Sequence, residues 1–178
     1  MAWHALALGL AISYSIAMNA LRIRDTRLSH DKPAILEFIY ALQLYEHAFE
    51  ANRRADPQMA EEHYAALILY LATHNGKIFI AEDEATHPIG WAAVHESDGE
   101  IFIRAEERRY GFLAELYVVE RARGAGVGRA LIAACEDWAR ERKLVSLRIG
   151  VLARNADALK VYERAGYTPY ALQMRKYL

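Results

Sequence analysis

The chain has 178 residues, a formal net charge of -1 and one cysteine. That length supports one domain with a sizeable core. The near-neutral charge argues against a nucleic-acid binder, and a single cysteine excludes an internal disulfide, which fits a reducing, cytoplasmic setting.

Residues 1–17, MAWHALALGLAISYSIA, are apolar and lack Lys and Arg. The run is short for a membrane span of about 20 residues and lacks the basic leader of a signal peptide. Met18 opens MNALRIRD, which reads as the start of a soluble domain. We therefore expect an extension over 1–17, one domain over 18–178 and no stable membrane association; a signal or anchor stays open.

LRIRDTR (21–27) alternates and predicts a first strand. PAILEFIYALQLYEHAFE (33–50) places Ile35, Phe38, Leu42 and Phe49 at helical spacing. Asp56 before Pro57 is an N-cap with proline at the first helical position, so a second helix runs to about Ala72. KIFIAED (77–83) and IGWAAVHE (89–96) read as strands around a turn near His87 and Pro88. After a turn at Asp98 and Gly99, EIFIR (100–104) reads as a short strand and AEERRY (105–110) as a charged loop. GFLAELYVV (111–119) is apolar on both faces, as a central strand is.

RARGAGVGRALIAACEDWA (121–139) begins with alternating glycines among arginines and continues as an amphipathic helix with Leu131, Ile132, Cys135, Trp138 and Ala139 on one face. Arg140, Arg142 and Lys143 complement the dipole at its end. VSLRIGV (145–151) alternates as a strand. Asn155 caps a further helix with Ala158, Val161, Tyr162 and Ala165 on one face, and Gly166 ends it. YTPYALQMRKYL closes the chain with one or two predicted strands.

The glycine turn follows a strand and opens a helix. Glycines let the backbone approach a ligand, and a helix N-terminus offers unpaired N–H groups. With Arg121, Arg123 and Arg129, the stretch reads as a cradle for phosphate or pyrophosphate. The alternative is a turn with solvated arginines. No Gly-Lys-Ser/Thr follows, so the P-loop pattern fails, and Gly124, Gly126 and Gly128 do not fit the dinucleotide fingerprint.

The chain resembles the GNAT superfamily of acetyl-CoA-dependent N-acetyltransferases. Arg123, Gly126 and Gly128 fill the family's Arg/Gln-x-x-Gly-x-Gly/Ala signature. Asn155, Ala158, Tyr162, Gly166 and Tyr167 fill its second motif, in the right order. The resemblance is clear over 111–170. It implies an α/β fold with a mixed, largely antiparallel central sheet, about four flanking helices, and splayed fourth and fifth strands. It further implies that acetyl-CoA is held by the backbone of Leu116, Tyr117 and Val118, with the Val118 N–H polarising the thioester. Its pyrophosphate would rest on the Arg123, Gly124, Ala125, Gly126, Val127, Gly128 and Arg129 segment, and Asn155 and Tyr162 would complete the site. Tyr162 would donate a proton to the leaving thiolate, a role suited to a phenol; otherwise it is a core tyrosine.

Amine attack also needs a base. An alkylammonium has a pKa near 10.4, roughly 3 units above neutrality, so freeing it costs ~4 kcal/mol. Glu115 lies in an otherwise apolar strand, where a carboxylate is paired, hydrated or working. It is the candidate base, directly or through water; an ion pair with Arg148 is the other reading. Glu46, Glu50, Glu106 and Glu107 are weaker candidates. The histidines are scattered, with no paired ligand spacing, so no metal is expected. Cys135 reads as a core residue.

Tyr45, Glu46, Glu50 and Asn52 lie where members of that family build the acceptor pocket, and they suit a cationic small-molecule or peptide amine. A non-catalytic acyl-CoA-binding module and an unrelated nucleotide-binding domain remain alternatives. A homodimer through edge strands is also open.

Overall fold

A computed structural model describes residues 21–178; the expected extension over 1–17 lies outside them. Strands β1 (Arg22–Asp25), β2 (Lys77–Glu82), β3 (Pro88–Asp98), β4 (Arg109–Val118) and β5 (Leu147–Ile149) form one sheet in chain order. The first three pairings are antiparallel and β4–β5 is parallel. The helices are α1 (Leu28–His47), α2 (Pro57–Thr73), the short α3 (Ala105–Arg108), α4 (Val127–Glu141) and α5 (Ala156–Arg164).

Both faces of the sheet are covered, which is why β2 and β3 are almost continuously apolar. On one face Ile35, Phe38 and Ile39 of α1 and Leu67 and Leu71 of α2 pack on Ile78, Ile80, Trp91 and Ala93. On the other, Leu131, Ile132, Cys135 and Trp138 of α4 pack on Phe79, Ala81, Ala92, Val94 and Leu113. Each fully buried large apolar side chain contributes roughly 1.5–3 kcal/mol, and the helices supply that burial on both faces.

Two features of β4 shape the molecule. Ala93 pairs with Glu115 but Val94 pairs with Leu113, so Ala114 is an extra residue. This β-bulge reverses the phase of the strand. Leu113 faces α4. Strict alternation would put Glu115 there too, but beyond the bulge Leu116 and Val118 take that face and Tyr117 packs toward α1 and α2. The second feature is the end of the parallel pairing at Leu113 and Ile149. Residues 114–118 continue without β5 beside them, so the fourth and fifth strands splay.

Some element boundaries differ from those predicted. Helix α1 starts at Leu28, before Pro33. The Asp31 carboxylate accepts the Arg27 N–H at 2.6 Å and two bonds from Arg24, which fixes the extra turn. It ends at His47, where the imidazole Nδ1 lies 2.7 Å from the Arg53 carbonyl oxygen. The strand expected over 100–104 is a loop: Ile101 and Phe102 are 85% and 80% exposed, with no face to bury against. The charged segment after it folds as α3, and β4 begins at Arg109.

The strands expected after Gly166 are not present among the described residues. Pro169 cannot donate to a ladder, and β5 is only three residues long. Side chains hold the tail instead: Tyr170 lies on the Arg148 guanidinium at 4.4 Å, and Arg175 bonds Glu50 at 2.5 Å. Among the described residues, no helix is long and apolar enough to cross a membrane.

Candidate functional site

The splay of β4 from β5 opens a cavity of about 860 Å³ that runs from the glycine turn to the end of α1. One wall is the free edge of β4. Val119 donates its N–H to Ile89 of β3 at 3.0 Å. Backbone polar groups alternate along a strand, so the Val118 N–H points the other way, into the gap. The Val118 carbonyl points there as well, and the Arg123 Nε–H reaches it at 3.1 Å.

At one end stands the turn that leads into α4. Gly124 and Gly126 have φ of +77 and +84, the left-handed region that favours glycine. No protein atom lies within 4 Å of the place a Cβ would take at either. Gly126 caps α4, and Ala130 is the first residue to donate back, to Gly126. The N–H groups of Val127, Gly128 and Arg129 therefore have no partner within the helix. Gly128 and Arg129 line the cavity, while the Val127 side chain is in the core. Ala125 is exposed and outside the lining. Arg123 does not reach over the turn. Its guanidinium lies over Tyr45 and Tyr117 at 5.3 and 5.7 Å.

Helix α5 closes the opposite wall. Asn155 is buried, and its Oδ1 accepts the Ala158 N–H at 3.1 Å and the Tyr45 hydroxyl at 3.4 Å. Two turns on, Tyr162 lines the cavity and packs edge-on against Tyr167. Burial, with the Glu46 charge adding to it, pushes the Tyr162 hydroxyl up to about 12. It is therefore a protonated donor at neutral pH.

Glu115 and Glu46 share the remaining end. The bulge at Ala114 turns Glu115 toward α1 and α2, where its Oε1 lies 2.7 Å from Nε2 of His63. The pairing with Arg148 is not made; that guanidinium sits between Tyr110, at 3.7 Å, and Tyr170. Burial raises Glu46 above the usual carboxylate range; Arg53, 3.6 Å away, opposes this and Glu115 adds to it. Glu50 is bound to Arg175, Asn52 is exposed, and Glu106 and Glu107 lie on α3 away from the cavity. Cys135 is fully buried and its thiol is pushed up to about 12 by that burial, as a core residue's is.

His63 was missed in the sequence. It lies three residues after Ala60 and four before Leu67, both buried, on the inner stripe of α2. An imidazole on an apolar helical stripe is the signal that points to it. The Glu115 hydrogen bond holds His63 above the usual histidine value, and burial opposes the shift.

The family model described as Acetyltransferase (GNAT) family matches residues 39–167. No curated protein matches the sequence. Among solved structures, a protein of Pyrococcus furiosus described as an acetyl transferase superposes with a TM-score of 0.70 at 24% identity, over 89% of this chain and 99% of its own. The glucosamine-6-phosphate N-acetyltransferase of Arabidopsis thaliana gives 0.61 at 17%, over 88% and 97%. An aminoglycoside acetyltransferase from an uncultured soil metagenomic sample gives 0.61 at 22%, over 90% and 96%. At these identities the structural likeness is one of fold.

Proposed function

The chain belongs to the acetyltransferase (GNAT) family, and on that premise we propose that it transfers the acetyl group of acetyl-CoA to a small-molecule or peptide primary amine, by direct attack in a ternary complex. The observation that carries this reading is the open edge of β4 inside the cavity. An extended pantetheine arm needs what a missing strand needs, and residues 116–118 offer it backbone groups. The glycine turn supports the same reading. Its bare surface admits a diphosphate, and the free N–H groups of Val127, Gly128 and Arg129 face a negative charge favourably. Arg129 adds a full charge, and Asn155 caps α5 and joins it to Tyr45 of α1.

The chemistry follows from the remaining groups. Glu115 takes a proton from the acceptor ammonium, directly or through a water. The freed amine nitrogen attacks the thioester carbon, and the Val118 N–H steadies the negative charge that develops on the carbonyl oxygen. As the C–S bond breaks, the Tyr162 hydroxyl gives its proton to the thiolate, and the second proton of the attacking nitrogen, lost as the amide forms, restores the phenol through water. The two proton-handling groups differ as the reaction requires: a carboxylate beside an imidazole, and a phenol kept protonated by burial. Much of the rate comes from holding both substrates in register. Two acids near the acceptor end suit a cationic amine, and one structural relative is by name an N-acetyltransferase.

The test is release of free thiol from acetyl-CoA by the 178-residue chain, offered an alkyldiamine, an aminosugar, an amino-acid amide and a lysine peptide. Amine-dependent release supports the enzyme. Tight acetyl-CoA binding without release on any of them makes the protein a binding module instead.

A further inference from the structure

We propose that His63 is the positioning residue of the acid–base step: its neutral imidazole donates Nε2–H to Oε1 of Glu115 and holds Oε2 toward the acceptor. This inference rests on the acetyltransferase reading of the cavity. The geometry comes from two separate elements. The bulge at Ala114 turns Glu115 away from α4, and the inner stripe of α2 delivers His63 to meet it at 2.7 Å. Among the described residues no donor reaches Oε2, so that oxygen is the one left for an incoming ammonium or its water.

The charges around the pair define what His63 does. Glu46 on α1 and Glu115 on β4 are the acids that face this end of the cavity, and Arg53 after α1 is the counter-ion of Glu46. Tyr162 on α5 is uncharged. On its own helix, the nearest acid is Glu62, which is bound to Arg54. With His63 neutral, Glu115 presents its full charge to the acceptor. With His63 protonated, imidazolium and ammonium compete for one carboxylate. The bond to Glu115 favours the protonated ring, so the neutral ring that a working base needs is gained as the pH rises through the His63 titration. During the step the ammonium proton moves to Oε2 and later to solvent, and His63 keeps its own proton.

The experiment compares wild type, His63→Gln and His63→Ala across about pH 5.5–8.5, using whichever of the four amine acceptors gives the fastest thiol release. Glutamine keeps an N–H donor and does not titrate. The expected result is a His63→Gln rate within about threefold of wild type at the upper end, and an acid-side fall in log(kcat/KM) shallower by one proton. His63→Ala, checked for folding by its melting temperature, is expected to lose about tenfold or more. An NMR titration adds a readout independent of turnover: Glu115→Gln should lower the titration of the His63 imidazole, since burial then acts without the carboxylate to oppose it. A His63→Gln profile that overlays wild type overturns the role while the acetyltransferase reading stands. No thiol release by wild type on any amine overturns that reading and this role with it.

Discussion

One oxygen, Oδ1 of Asn155, accepts both the Ala158 N–H that starts α5 and the Tyr45 hydroxyl from α1. The helix that carries Tyr162 is thereby tied to the helix that carries Glu46. Asn155→Ala is expected to cost about 1 kcal/mol, as the loss of a helix cap does. That corresponds to a melting temperature lower by about 2–4 °C for a domain of this size. Asn155→Asp keeps the acceptor oxygen and should recover most of the loss. If aspartate melts as low as alanine, the cap is not what the asparagine contributes.

Gly126 and Gly128 separate conformation from ligand approach. Gly126→Ala places a Cβ at a φ of +84, at a cost of about 1–2 kcal/mol. Gly128 has no such φ, and a Cβ there meets Val118 at 3.8 Å, an ordinary contact. Gly128→Ala should melt close to wild type yet bind acetyl-CoA about tenfold more weakly by calorimetry. Unchanged binding in Gly128→Ala would remove the turn from the proposed donor site.

Tyr162→Phe keeps the ring that packs on Tyr167 and removes the hydroxyl. The expected outcome is an unchanged melting temperature and a kcat lower by about tenfold or more. Because burial pushes this hydroxyl up to about 12, its loss should not move the acid limb of the rate. A mutant with the wild-type kcat would return Tyr162 to the core.

Arg24, Asp31 and Glu82 form a buried network at the start of α1, with bonds of 2.6–2.8 Å. Burial alone would raise Asp31, but hydrogen bonds from Arg24, His30 and the Arg27 N–H outweigh it and hold the carboxyl well below its ordinary range. A carboxylate depressed in the folded state stabilises the fold above its unfolded value, about 3.9, and loses that contribution as the pH falls below it. Asp31→Asn leaves Arg24 with Glu82 as its carboxylate partner and a neutral amide in place of the other, and is expected to cost about 1.5–3 kcal/mol at pH near 7. The difference from wild type in urea midpoint should shrink as the pH drops below about 4. A difference that stays constant down to about pH 3 would mean that the charge of Asp31 contributes little.

The apolar helical periodicity and the glycine turn were legible because they depend on neighbours in sequence. The two motifs placed α4, Asn155 and Tyr162 for the same reason. Long-range geometry was not legible. The start of α1 depends on Arg24 and Glu82, which are brought together only by strand pairing. Ile101 and Phe102 are the residue types of a short strand but have no sheet to join. Glu115 stood out as an acid among apolar residues. Its partner did not, since Arg148 is near in the sheet and His63 is on another layer. Only the bulge decides between them, and a single extra residue leaves no mark in an apolar strand.

The bulge also bears on how this site can change by mutation. In β4 the core residue Leu113 and the acid Glu115 are written on one strand in opposite phase, with Ala114 as the shift between them. Substitution at Ala114 leaves the phase alone. Loss of that single codon would remove the bulge yet leave Leu113 opposite Val94 and Glu115 opposite Ala93, so both would keep their faces. What the extra residue adds is a local bend in β4, at the point where the strand parts from β5.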